Sequence, residues 1–385
     1  MNKLKKTVVS VVTVCAMAVS VLAGASVKAA TTEGVLVPTR VTDYATVPTA
    51  ATVSVNLPGK GDNASATVES TAKLIPIQMD YKGVLTLAAA ATGLSDSVDV
   101  ALYSDQACTM KVGSSDFLSS SYLTLSKSYT ITAAGTYYLK FNWRWSVPDN
   151  GSVIAVGAYA YSGAEVTIND TYQAIYTGDS TVTNYHKLVL ESDSLVTLFG
   201  NSYSTYDGTA SNLSLNLCDS NKITLDDPYM YSGNQYFEIY ALKKGTYYVA
   251  TSSSSPYQLK ATVTKVKDQS GASKAKAKTL KKKKTVKGMV ALSEGTAKAD
   301  WFKIKLTKKA KLKLSYTAKC TGTSSLRLQV IPANKNYTLI GDTIYMKTGT
   351  GGISSKKKLK KGTYYIKINK SYADYSGSYS IKYVK

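Results

Sequence analysis

The sequence predicts an all-β protein of three tandem antiparallel β-sandwich or jelly-roll units behind a signal peptide. Three observations carry that prediction. Apolar and polar residues alternate with period two in segment after segment, as in Phe302-Lys303-Ile304-Lys305-Leu306, which turns one face to a core and the other to water. Gly-Thr-Tyr-Tyr followed by an aliphatic residue is written three times, at Gly135–Leu139, Gly245–Val249 and Gly362–Ile366, with spacings of 110 and 117 residues. No stretch sustains a capped 3.6-residue apolar period. The composition agrees, since 30 Tyr against 5 Phe with only 8 Pro favours strands.

The first residues form their own block. Lys3, Lys5 and Lys6 precede a mostly apolar run from Thr7 to Ala23, and Val27-Lys28-Ala29 follows. This is the order of a secretory signal peptide spanning 1–29, with cleavage expected after Ala29 or Ala30. The expected localisation is therefore secreted or cell-surface associated, with no transmembrane segment after removal of the signal. Residues 30–50, rich in Thr, Ala and Val, read as an extended lead-in.

Unit one is then expected over 51–165, unit two over 166–265 and unit three over 272–385. Two further blocks support the repeat. Ile304, Leu306, Leu312 and Leu314 lie 116 residues after Leu188, Leu190, Val196 and Leu198, and 227 after Ile77, Met79, Leu85 and Leu87. Val98/Val100/Leu102, Leu213/Leu215/Leu217 and Leu326/Leu328/Val330 form the other. The glycine before each Thr-Tyr-Tyr is expected at positive φ, and in each Tyr pair one ring faces the core and the next faces outward. Asp268–Ser273 reads as the linker before unit three.

The third copy runs Ala277-Lys278-Thr279-Leu280, Val286-Lys287-Gly288, Asp300-Trp301-Phe302-Lys303-Ile304, Leu326-Arg327-Leu328, Gly362-Thr363-Tyr364-Tyr365-Ile366 and Gly377-Ser378-Tyr379-Ser380-Ile381. It resembles the bacterial pre-peptidase C-terminal domain, a β-sandwich related to clostridial collagen-binding domains. Copies one and two fit more loosely, with Lys73 and Asn184 where the third has Asp300. The resemblance implies a non-catalytic appendage of secreted enzymes. Relatives that bind collagen place calcium at acidic residues near the domain's start, but the matching segment here is Lys-rich.

Charge is split along the chain. Residues 265–385 hold 30 Lys+Arg against 5 Asp+Glu, while the rest, without the signal, is mildly acidic. Lys281, Lys282, Lys283 and Lys284 form one dense cluster, and Lys356, Lys357 and Lys358 begin another that runs to Lys361. Lysine suits diffuse attraction to polyanions more than geometry-specific recognition. Anionic cell-wall polymer or extracellular polysaccharide or protein is the partner expected of an exported basic face, with no nucleic acid expected. A merely solvated strand face is the plainer alternative.

Little else points to chemistry. His186, the one histidine, is expected to face outward at a strand start. No Gly-x-Ser-x-Gly elbow accompanies it, and the chain reads as non-enzymatic. Cys108, Cys218 and Cys320 read as small buried apolar residues, with a 108–218 disulfide as the alternative. Asp105, Asp219, Asp226 and Asp227 lie in turn-like segments without the spacing of a calcium loop, so no cofactor is expected and calcium is the only candidate. Trp143 and Trp145 sit two apart and would share a strand face. With Tyr138 they form the candidate binding platform of an alternative function, a carbohydrate-binding module. Tyr203, Tyr206, Tyr229 and Tyr231 are further candidates for a contact surface. The leading function is a secreted, non-catalytic binding protein retained at the envelope or on polymer by its basic third unit.

Overall fold

The computed structural model describes residues 34–42, 49–61, 63–92, 94–163, 166–176, 183–202, 213–226, 236–253, 255–333 and 343–384. The signal segment, Asp227 and Tyr203, Tyr206, Tyr229 and Tyr231 lie outside them. Strands and turns account for the described chain, and no helix in it is long and apolar enough to cross a membrane.

The first unit contains β1 (Thr39–Arg40), β2 (Ala51–Leu57), β3 (Lys73–Met79), β4 (Gly83–Thr92), β5 (Val98–Tyr103), β6 (Lys111–Leu118), β7 (Thr124–Ile131), β8 (Gly135–Trp143) and β9 (Ser152–Ser162). The second contains β10 (Gln173–Ile175), β11 (Asn184–Leu190), β12 (Ser194–Ser202), β13 (Ser214–Cys218), β14 (Thr224–Asp226), β15 (Tyr236–Leu242), β16 (Gly245–Ser252) and β17 (Tyr257–Lys265). The third contains β18 (Lys278–Thr279), β19 (Thr285–Val290), β20 (Asp300–Leu306), β21 (Lys313–Cys320), β22 (Leu326–Pro332), β23 (Ile344–Met346), β24 (Gly349–Ser354), β25 (Gly362–Lys370) and β26 (Gly377–Tyr383).

One pairing scheme recurs three times. The first layer runs β3-β8-β5-β6, then β11-β16-β13-β14, then β20-β25-β22-β23. The facing layer pairs β4 with β7 and β9, β12 with β15 and β17, and β21 with β24 and β26. Each sandwich encloses its own apolar cluster, centred on residues such as Ile77 and Phe141, Leu188 and Val249, and Ile304 and Ile366. The Tyr parity holds in every copy. Tyr137, Tyr247 and Tyr364 are buried while Tyr138, Tyr248 and Tyr365 are half-buried on the outer side. The inner hydroxyls donate back four residues, to the carbonyls of Ala133 at 2.9 Å, Lys243 at 3.0 Å and Lys360 at 2.9 Å. Gly135, Gly245 and Gly362 stand at φ 153°, 158° and 156°, a region closed to most side chains.

The junctions differ. Units one and two share a nine-stranded sheet, because β10 pairs with β17 on one side and continues onto β9 through Ile175 and Ser162. The 165/166 boundary therefore falls within a continuous hydrogen-bonded layer. Units two and three instead dock. Leu195 and Ala241 pack against Met289 and Ala291, Leu292 of the third unit joins the second unit's core, and its N–H donates to Ala241 O at 2.8 Å. Ser376 Oγ accepts from Ala241 N at 3.0 Å, and Lys243 Nζ lies 3.0 Å from Asp193 and 3.3 Å from Glu294. The segment 268–273 is fastened to the third unit. Gly271 and Trp301 exchange backbone bonds of 3.0 and 2.9 Å, and Ser270 Oγ donates to Asp300 at 2.9 Å. The lead-in is fastened too, with Leu36 bridging to Ile77, β1 pairing β9 and Val41 fully buried.

Candidate functional site

Three lysine-rich turns converge on one end of the third unit. Lys281–Lys284 precede β19 and attach to the last strand, where Lys283 N donates to Tyr383 O at 2.7 Å. Lys308, Lys309 and Lys311 line the β20–β21 turn, Lys313 opens β21, and Val384 N donates to Lys313 O at 2.8 Å. Lys356–Lys361 line the β24–β25 turn, and Ala310 and Leu359 exchange backbone bonds of 3.0 and 2.7 Å between these two turns. The strand pairs Leu306↔Gly362 and Lys313↔Ser354 fix the same end. Lys281–Lys284 and Lys356–Lys358 are all exposed, so each charge keeps its water while the potentials add.

The described carboxylates of this unit lie away from that pole. Asp300 opens β20 at its opposite end, opposite Ile368. Asp374 lies in the β25–β26 turn, and Glu294 meets Lys243 at the docked junction. The pole is thus basic without described acidic neighbours, and it points away from the end that holds unit two.

The Trp pair is not assembled. Trp143 is fully buried and donates from Nε1 to Pro58 O at 2.8 Å, while Trp145 is 74% exposed. The reason is local. β8 ends at Trp143, Arg144 N bonds Ser97 O at 2.8 Å and the chain bends, so period two no longer applies. Tyr138 lies on the outer face of β8, opposite in parity to Trp143. What forms instead is an exposed stack in which the Arg144 guanidinium lies 4.4 Å from the Phe117 ring centroid and 5.1 Å from that of Trp145.

His186 is also corrected. It is fully buried, because it shares the parity of Leu188 and Leu190. Its Nε2 lies 2.8 Å from Tyr257 Oη and 3.0 Å from Thr251 Oγ1. Burial depresses its pKa to about 3, so it is neutral at ordinary pH, and no described carboxylate bonds it. The corresponding site in unit three holds Asp300, which accepts from Tyr379 Oη at 2.7 Å and Ser270 Oγ at 2.9 Å. Burial first, and then the charge of Asp268, push Asp300 up to about 7. This buried pair was not singled out in the sequence, although Asp300 breaking an otherwise Lys-rich unit was its visible signal.

The three cysteines among the described residues, Cys108, Cys218 and Cys320, are free, which removes the 108–218 bridge. Cys218 and Cys320 are buried, whereas Cys108 is half-buried in a turn at φ 56°. Among the described residues no three His, Cys, Asp or Glu groups gather to hold a metal. Asp105 accepts from Thr109 and Met110 N–H groups and Asp219 from those of Asn221 and Ile223, so both close turns. Asp226 accepts from Tyr240 Oη at 2.7 Å.

The chain matches no protein-family model and no curated protein. Among solved structures it is similar to tripeptidyl peptidase 2, with 10% identity over 90% of this chain and 24% of that one at TM-score 0.22. A Paenibacillus xanthan lyase gives 11% identity over 84% and 23% at TM-score 0.21. The tandem carbohydrate-binding modules CBM22-1 and CBM22-2 of Paenibacillus barcinonensis Xyn10C give 8% identity over 80% and 82% at TM-score 0.21. The chain spans about a quarter of the first two chains' length. At such scores nothing about this chain's function follows from them.

Proposed function

We propose that this chain is an exported, non-catalytic binding protein, held on anionic extracellular polymer by the basic pole of its third unit. The observation that carries the reading is the convergence of the 281–284, 308–313 and 356–361 turns, distant in sequence, on the end facing away from unit two. Lysine ammonium groups at exposed turns attract phosphate or carboxylate chains through summed potential and need no fixed geometry. The pre-peptidase C-terminal resemblance of this unit points the same way, to an appendage that localises.

The test is binding of the full-length protein to polyglycerol phosphate and to isolated cell wall across a salt series. Affinity falls steeply as the Debye length shrinks from ~10 Å to ~3 Å between 0.1 and 1 M salt. Combined Lys356→Gln, Lys357→Gln and Lys358→Gln lowers both the affinity and its salt slope. Binding indifferent to salt would sink the reading.

A further inference from the structure

The third unit carries a second cationic surface, unlike the pole in composition. On the outer face of its five-stranded sheet, Trp301 and Lys303 of β20 stand beside Lys367 and Tyr365 of β25, through the pairs Trp301↔Lys367 and Lys303↔Tyr365. Arg327 of β22 sits on the same face with Tyr345 of β23 opposite it. The rings of Trp301 and Tyr365 meet edge to face, with centroids 6.4 Å apart. Lys274 Nζ lies 5.1 Å from the Tyr365 centroid and Lys367 Nζ 6.0 Å from that of Trp301.

Two features mark this face as unsatisfied. The Arg327 Nε–H is closed off from solvent and has no hydrogen-bond partner, an arrangement that costs free energy unless something accepts from it. Lys367 is held below its ordinary pKa by burial and then by the charge of Arg327. Two half-buried cations therefore repel each other, and neither has an ion-pair partner among the described residues.

We propose that this sheet face binds an acidic polysaccharide, a chain of sugar rings bearing carboxylates. Each part of the ligand has its complement. Sugar C–H faces stack on Trp301, Tyr365 and the exposed Tyr345, as apolar surfaces do on aromatic rings. A carboxylate between Arg327 and Lys367 removes their repulsion and takes charge-assisted bonds, with the guanidinium fork suited to carboxylate geometry. A flat sheet that interleaves rings and cations fits a ring-bearing polyanion better than a flexible, ringless polyphosphate. Single-stranded nucleic acid also combines rings with charge, but the N-terminal export signature makes acidic glycans the ring-bearing polyanions this chain would meet. The site is separate from the pole, but its choice of ligand rests on the export part of the reading above.

Titration calorimetry on the full-length protein tests this with four probes: oligogalacturonate, a neutral glucose oligomer of equal length, polyphosphate and oligo(dT). Oligogalacturonate binding is expected to fall at least tenfold in Arg327→Gln and in Trp301→Ala. Tyr345→Ala, at a 57% exposed position, lowers it several-fold without threatening the fold. The neutral oligomer does not bind. NMR titration of Lys367 shows its pKa rising when oligogalacturonate is added, which a structural role alone would not produce. The Lys356/Lys357/Lys358→Gln variant keeps oligogalacturonate binding while losing polyphosphate, so failure at the pole and failure at the face are told apart. Oligogalacturonate affinity unchanged in both Tyr345→Ala and Arg327→Gln, or oligo(dT) bound more tightly than oligogalacturonate, would overturn the proposal.

Discussion

Units two and three place different chemistry at one address in the same sandwich. In unit two the address holds Asn184, His186 and Tyr257, with the histidine bonded to the tyrosine hydroxyl. In unit three, 116 residues on, it holds Asp300 and Phe302, and Tyr379 takes the place of Tyr257. There the tyrosine bonds the aspartate and Phe302 stacks edge-on against it at 6.3 Å. Unit one fills the same places with Lys73, Ile75 and Ile154, leaving no buried titratable group. A fold set by strand pairing tolerates this exchange because the buried Nε2 of His186 and the Asp300 carboxylate each find partners from neighbouring strands or loops, although His186 Nδ1 stays unpartnered. It teaches that pH enters the two later units with opposite sign.

The largest expected effect breaks that opposition. The folded pKa of His186 is depressed, so its stability is present above the unfolded value near 6.5 and lost as pH falls toward about 3. The folded pKa of Asp300 is raised, so its contribution is full below its unfolded value of 3.8 and lost as pH rises toward about 7. Each shift corresponds to roughly 4–5 kcal/mol at most, at about 1.36 kcal/mol per unit. His186→Phe should abolish most of the acid loss of unit two, followed by hydrogen exchange of β11 and β16 amides from pH 7 to 4. Asp300→Asn should flatten the opposite slope in β20 and β26. Parallel slopes in the two units would refute the contrast.

A second shared address sharpens the comparison. The eighth residue after the repeat glycine is Trp143, Ser253 or Lys370. Trp143 donates to Pro58 O after β2, and the fully buried Lys370 donates to Leu292 O at 2.7 Å and Ala373 O at 2.6 Å after β19 and β25. Trp143→Ala should cost about 3–5 kcal/mol in denaturant unfolding. Lys370→Ala should cost about 3 kcal/mol, because three carbonyls lose their donor. Ser253→Ala should cost about 1 kcal/mol, since its Oγ only donates to Ser255 O and accepts from Ser255 N–H in the same turn. Equal losses at all three would show that the residue at this address makes no difference to stability.

The smallest effect tests what the units share. Tyr137→Phe, Tyr247→Phe and Tyr364→Phe each remove one hydroxyl bond to a carbonyl four residues back. Each should cost about 1 kcal/mol, and nearly the same in all three. A threefold spread would mean the copies have diverged in this turn as they have in the core.

Much of this was legible beforehand. The period-two alternation fixed the strands, and the repeated Gly-Thr-Tyr-Tyr fixed which Tyr faces inward. Trp145 was misplaced because the strand ends two residues earlier, at Trp143, where Arg144 N–H donates to Ser97 O in a hydrogen bond that no local pattern announces. His186 was misplaced because its polarity outweighed its parity with Leu188, and the partners that satisfy it lie 65 and 71 residues away. The basic pole was visible only as separate Lys runs, since their meeting depends on which turns share an end of the sandwich.

The sequence by itself determined the strand class, the threefold repeat and the excess of lysine in the last unit, because side-chain alternation and charge are properties of neighbours along the chain. Tertiary structure alone decided that units one and two share a sheet, that unit three docks by the end opposite its basic pole, and that Arg327 and Lys367 are brought together without a counter-ion among the described residues. Those facts depend on pairings across tens of residues, whose free energy lies in long-range burial and hydrogen bonding that no local segment encodes.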